Sequence, residues 1–219
     1  IGKLKTLYRH GLGIRYGRKM QTIAGIHYNL SFPSEFWQAW QVASQTSGEL
    51  QDLINEQYFG LIRNFQRHSY LLLYLLGASP AVCACFLHGR DHNLANLGTG
   101  SLYQPYATSL RMSRLGYQNT VQSDLQVSYN QLADYIHDLS HAIHTPYPPF
   151  AELGLKKDGV YQQMNTNVLQ IENEYYGLIR PKQTAQSGEK PTQALKARGI
   201  EYIEMRCVDL NPFAPTGID

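Results

Sequence analysis

With 219 residues, 43% of them hydrophobic and 16% charged, the chain is long enough for one substantial domain with its own core and too apolar to be disordered. A net charge of +2 gives no general reason to expect a nucleic acid or a membrane as partner. Three cysteines are too few for a disulfide framework and suit a reducing compartment, the cytoplasm.

The first 19 residues hold Lys3, Lys5, Arg9, Arg15, Arg18 and Lys19 and no acid, which predicts a solvated basic face or a positive rim for phosphate or carboxylate ligands. Residues 4–16 read as a short helix that enters a turn at residues 11–13. Gly11, Gly13 and Gly17 have the wrong spacing for a dinucleotide loop. Residues 20–31 alternate as a strand does, with Gln21, His27 and Asn29 on one face and Ile26, Tyr28 and Leu30 on the other. Pro33 and Ser34 open a helix running to about Ser44. A longer helix spans residues 49–76, with Leu53, Ile54, Tyr58, Leu61, Ile62 and Phe65 at helical spacing until Gly77 and Pro80 stop it.

The run 70–76 is too short to cross a bilayer. Residues 81–87 form a short apolar segment in which Cys83 and Cys85 read as small core residues, and residues 88–101 form a polar loop carrying His88 and His92. Ser128 and Gln131 resemble a capping box before a helix ending near His144, with Leu132, Ile136, Leu139 and Ile143 as its buried stripe. His137, His141 and His144 flank that stripe without an acidic or cysteine partner, and read as a polar flank rather than a metal site.

Residues 168–176 alternate again, placing Gln170, Glu172, Glu174 and Tyr176 on one face of an expected strand. Residues 180–190 read as a loop, and Pro191 to Arg198 as a short helix closed by Gly199. In the last strand, residues 200–208, Tyr202, Glu204 and Arg206 oppose Ile203 and Met205. If these distant strands are neighbours, His27, Glu204 and Arg206 converge. A neutral imidazole and a carboxylate suit Mg²⁺ or Mn²⁺ with phosphate oxygens completing the shell, and a guanidinium beside them suits a transferring phosphoryl group. The sixteen tyrosines suit half-buried walls with a hydroxyl left available.

Several segments then fall into a known pattern: Leu7-Tyr8-Arg9, MQTIAGIHYN at 20–29, GASP at 77–80, PYATSLR at 105–111, Leu115 to Tyr117, NVLQIENE at 167–174, IRPK at 179–182, GIEYIE at 199–204 and DLNPF at 209–213. In that order and spacing the chain resembles proteobacterial glutamate–cysteine ligase along essentially its whole length. The family is substantially longer, both ends here look cut, and residues 1–219 read as the central portion of a single catalytic domain. The resemblance implies an α+β fold: a curved, mainly antiparallel sheet covered by helices, as in glutamine-synthetase-like ligases. It also implies an ATP-dependent ligation of L-glutamate to L-cysteine through γ-glutamyl phosphate, with Mg²⁺. By the same resemblance His27 and Glu204 are metal ligands, and Arg206 and Arg111 are cations near the phosphate and the glutamate. Gln21 and Asn29 line the floor, and Tyr8, Tyr117 and Tyr176, with Leu12, shape the cysteine pocket. The alternative is a non-catalytic amino-acid-binding module or a chain completed by a partner. A nucleic-acid-binding basic start is a weaker third reading.

Overall fold

In the computed structural model, which describes residues 2–115 and 120–218, helix α1 (Gly2–Tyr16) runs straight through the glycines expected to turn it. Gly11 is there for a close approach: a Cβ at this position would lie 2.2 Å from Gln170 Oε1, so only a bare backbone lets the helix sit against the 163–174 segment. A 3₁₀ turn (Arg18–Thr22) follows, and the expected long strand shrinks to β1 (Ile26–Leu30). Helices α2 (Ser34–Ala43) and α3 (Leu50–Leu76) lie where the apolar spacing puts them.

Strands β2 (Ala81–Cys83), β3 (Ala95–Leu97) and β4 (Ser101–Tyr103) form a small antiparallel sheet in the order β2-β4-β3, so the 88–101 loop contains a strand. Cys83 and Cys85 are exposed, not core. The chain leaves β2 through a 3₁₀ turn (Ala84–Leu87), and its buried residue is Leu87.

A single turn, α4 (Thr120–Ser123), precedes α5 (Leu132–Ala142), α6 (Pro148–Glu152), the hairpin β5 (Lys156–Lys157) and β6 (Val160–Tyr161), β7 (Ile179–Lys182), α7 (Pro191–Arg198) and β8 (Tyr202–Val208). The capping box expected before α5 does not form. Gln131 is itself the N-cap without a side-chain bond, and the Ser128 hydroxyl instead accepts from the Asn130 N–H at 3.2 Å.

Strand β8 is the centre of the main sheet, ordered β1-β8-β7 and antiparallel throughout. The inward residues Ile179 and Ile203 are fully buried, and α3 covers them with Tyr58, Phe59 and Ile62. The alternation of β8 survives intact, because a sheet with one buried face needs its apolar residues at period two. Strand β7 was expected to be loop. Pro181 disguises it, since proline is tolerated only where no ladder N–H is needed, and β7 is an edge strand.

Residues 168–176 do not form a strand. Their acids are consumed by side-chain and backbone partners: Glu172 accepts from Thr192 N–H at 2.9 Å and Thr192 Oγ1 at 2.6 Å, satisfying the start of α7. Glu174 accepts from the Tyr16 hydroxyl at 2.7 Å, Gln170 N–H at 2.6 Å and Arg15 Nη1 at 3.4 Å. Consecutive residues Leu169 and Gln170 are both buried, which a one-sided strand does not allow. Burial pushes the Glu174 carboxyl up, against the pull of Arg15, Tyr16 and Gln170. Arg15 is therefore no part of a solvated rim. Its side chain is fully buried, stacked 4.1 Å from the Phe150 ring centroid and bonded to the carbonyls of Asn165 and Asn167.

Candidate functional site

On the outer face of the main sheet, Asn29, Glu204 and Arg180 are register partners across three strands, with Lys182 opposite Tyr202. Directly paired residues of an antiparallel ladder project to the same side, so these groups share one floor. Opposite His27 the register slips: β1 advances from Ile26 to Tyr28 while β8 advances from Val208 to Met205. One extra residue on β8 is a bulge, a device that re-aims the side chains beside it. With β1 beside β8, the condition on which it was expected, the His27, Glu204 and Arg206 tips converge.

Glu204 is the hub. Its Oε2 accepts from Arg206 Nη1 at 2.8 Å and lies 3.9 Å from Lys182 Nζ, while Oε1 faces His27 Nδ1 at 3.6 Å. Burial pushes the Glu204 carboxyl up, but Arg206, Lys182 and His27 outweigh it and hold it below the ordinary value. His27 is pulled down by partial burial and by Arg206, against the opposing pull of Glu204, which favours a neutral imidazole. Burial likewise lowers Lys182 and Arg180. Three cations and an imidazole thus surround one carboxylate, so the floor is electropositive. The Nε atoms of Arg180 and Arg206 are buried and have no hydrogen-bond partner among the described residues. Buried donors of this kind are costly unless an acceptor arrives, and guanidinium N–H groups left without one beside a positive floor suit an oxyanion.

Arg180 and Lys182 had no predicted role. The signal was present: Arg180 and Lys182 alternate with Ile179 and Pro181 over four residues, but it is short and was absorbed into the loop read at residues 180–190.

The other expected site residues are scattered. Gln21 sits in the 3₁₀ turn, its amide donating to the Arg9 carbonyl at 3.1 Å, and does not share the floor. Leu12 is buried at 3% exposure within the packing of α1. Tyr8 lies half-buried on the same helix, and its carbonyl accepts from Gln170 Nε2 at 3.5 Å. Tyr176 is near the floor: its hydroxyl contacts Met112 Sδ at 3.2 Å, and burial raises its phenol while Arg111 and Arg206 pull it down. Tyr117 lies outside the described residues. His137, His141 and His144 are exposed, as the polar-flank reading expects.

Arg111 does not point a free guanidinium at the floor. Its Nε donates to Asp209 Oδ1 at 2.6 Å, and its Nη2 donates to the carbonyls of Val208 at 2.9 Å and Arg206 at 3.4 Å. Asp209 also accepts from Ala78 N–H at 3.0 Å, Ser79 Oγ at 2.6 Å and Ser109 Oγ at 3.0 Å. Three segments remote in sequence, 77–80, 105–111 and 209–213, therefore meet at one carboxylate, and through Arg111 they hold the backbone of Arg206. Gly25 makes room for this clamp, since a Cβ there would lie 2.6 Å from Arg111 Cζ and 2.7 Å from the Val208 carbonyl. Gly25→Ala is expected to destabilise the chain by about 1–3 kcal/mol, because neither neighbour is a free chain end. Urea unfolding checks this, and an unchanged midpoint would show that the clamp yields.

The family model for glutamate–cysteine ligase matches residues 1–219, the whole chain. The chain belongs to the glutamate–cysteine ligase family. The glutamate–cysteine ligases of Alcanivorax borkumensis and Hahella chejuensis are 59% and 57% identical over all of it. The chain spans only 43% and 42% of those two proteins, less than half of the curated relatives it matches. A solved glutamate–cysteine ligase from Francisella tularensis, in complex with AMP, superposes over 100% of the chain with a TM-score of 0.90 at 41% identity, and 42% of that protein is covered. A bifunctional glutathione synthetase from Pasteurella multocida superposes over 95% of the chain with a TM-score of 0.66 at 26% identity, and 22% of it is covered. The mixed helices and antiparallel sheets are thus those of this ligase family. Among the described residues no helix is long and apolar enough to cross a membrane.

Proposed function

We propose that this chain is the central portion of the single catalytic domain of a longer enzyme that joins L-glutamate to L-cysteine, with ATP as co-substrate, in the cytoplasm. The observation that carries this reading is the pair of buried guanidinium N–H groups of Arg180 and Arg206, without a hydrogen-bond partner among the described residues, beside the electropositive floor around Glu204. The γ-carboxylate of glutamate attacks the γ-phosphorus of ATP, giving γ-glutamyl phosphate and ADP. The cysteine amine then attacks the acyl carbon, expels phosphate and forms the amide. Negative charge accumulates on the transferring phosphoryl oxygens, and in this reading Arg180, Arg206 and Lys182 are the cations that offset it. Asn29 extends the same floor, and Arg111 acts by holding the Arg206 backbone. Tyr176 walls one side of the floor.

A divalent cation, Mg²⁺ or Mn²⁺, fits this donor set in part. Glu204 Oε1 and the His27 imidazole face each other beyond hydrogen-bond length, at 3.6 Å, and offer two donors of the right kind. Among the described residues no group of three or more His, Cys, Asp or Glu is placed to hold a metal. Other ligands would then come from nucleotide oxygens and from residues outside this chain. When bound, the cation would neutralise charge between the triphosphate and the attacking carboxylate.

The test is a coupled ADP-release assay on the full-length protein with glutamate plus cysteine, with glutamate alone, and with the 219-residue chain in its place. Rapid ADP release that needs cysteine and the full-length protein is the expected result. ADP release indifferent to both amino acids would refute the reading, and no ADP release with all three substrates present would refute it in favour of a binding module.

A further inference from the structure

Outside the sheet site, the two cysteines expected in the core lie together at the surface. We propose that Cys83 and Cys85 form a reactive dithiol that undergoes exchange with small-molecule disulfides and closes to an intramolecular disulfide. This goes beyond the ligase reading and does not rest on it.

Cys83 ends β2 and Cys85 sits in the 3₁₀ turn that follows, so the turn folds the second cysteine back toward the first. The Cys85 N–H donates to Cys83 Sγ at 3.3 Å, which brings the two residues together. The Lys19 ammonium donates to the Cys85 carbonyl, placing a positive charge beside the pair. Both cysteines are exposed, whereas the remaining cysteine, Cys207, is fully buried in β8.

These neighbours divide the roles. The Cys85 thiol, the backbone N–H and Lys19 lower the Cys83 thiol, while hydrogen bonding to Cys83 raises Cys85. Cys83 is then the attacking thiolate and Cys85 the resolving thiol. The Cys83 thiolate attacks one sulfur of a disulfide RS–SR, forming Cys83–S–SR and releasing RS⁻. Cys85 loses its proton and attacks the Cys83 sulfur, forming the Cys83–Cys85 bond and releasing the second RS⁻. The dithiol is oxidised by two electrons, RS–SR is reduced to two RSH, and the two cysteine protons end on those thiols.

The test incubates the 219-residue chain with glutathione disulfide, quenches with acid, alkylates the remaining thiols and maps peptides by mass. The unmodified chain is expected to lose both alkylatable thiols at 83 and 85, to gain one bond between them, to retain no glutathione and to keep Cys207 reduced. Cys85→Ser is expected to trap glutathione on Cys83. Cys83→Ser is expected to slow glutathione attachment at Cys85 by about tenfold or more. Both substitutions are at exposed positions outside the main core, so folding does not confuse the readout. Two alkylatable thiols surviving in the unmodified chain would overturn the proposal. So would glutathione retained on Cys83 beside a free Cys85, or Cys207 oxidising at the same rate.

Discussion

Arg206→Ala in the full-length enzyme is expected to lower kcat by about 10²–10³-fold while changing the KM for cysteine little, the size found when one preorganised charge-stabilising donor is removed. Two consequences combine. The substitution removes a guanidinium whose Nε has no partner among the described residues, and it strips Glu204 of its 2.8 Å hydrogen bond. Arg206→Lys separates them. It keeps the charge near Glu204 but not the planar fork, so an activity between those of the native and Ala enzymes is expected. Steady-state kinetics with ATP, glutamate and cysteine varied in turn make the measurement. A native kcat in Arg206→Ala would remove the residue from the phosphate end of the site.

Asp209→Ala is expected to cost the chain about 3–5 kcal/mol of stability, as removing one member of a buried charged pair does. The loss strands the Arg111 guanidinium, the Ser79 and Ser109 hydroxyls and the Ala78 N–H in a site where Asp209 is 3% exposed. Burial pushes the Asp209 carboxyl up, but hydrogen bonds from Ser79, Arg111, Ala78 and Ser109 prevail and hold it below the ordinary aspartate value. A depressed carboxyl contributes stability above its unfolded pKa, and the contribution is lost as pH falls through the folded one. The gap between native and Asp209→Asn chains in urea unfolding should therefore be full at neutral pH and shrink in acid, below about pH 4. A gap that does not change with pH would mean that the clamp acts by shape rather than by charge.

Both predictions concern one strand and the residue after it, which was also the most legible part of the chain. Ile203 and Met205 alternate with Tyr202, Glu204 and Arg206, and a strand with one buried face has no other way to arrange them. The long helix was legible for the same reason. Its apolar stripe at helical spacing is the face that covers Ile179 and Ile203. The approach of His27 to Glu204 was legible only as a condition, because it needs β1 beside β8.

Residues 168–176 show where alternation misleads. Period two there places Glu172 and Glu174 on a common face, yet each acid is bound to a different remote partner, Thr192 and Arg15, and the backbone follows those partners. Arg111 misled in another way. A cation in a matching motif was read as facing substrate, but Asp209, 98 positions away, takes it. Cys83 and Cys85 were misplaced because an apolar neighbourhood in sequence was read as an apolar neighbourhood in space.

By itself the sequence determined the family, the mixed fold and which face of β8 is polar, because these follow from local periodicity and from motifs in order. Only the tertiary structure decided that Arg180 and Lys182 join the floor, that Arg111 belongs to a clamp, and that two thiols meet at the surface. Each of those depends on which distant segment supplies the countercharge or the cover. Local spacing cannot specify that, because side-chain electrostatics and burial act through space rather than along the chain.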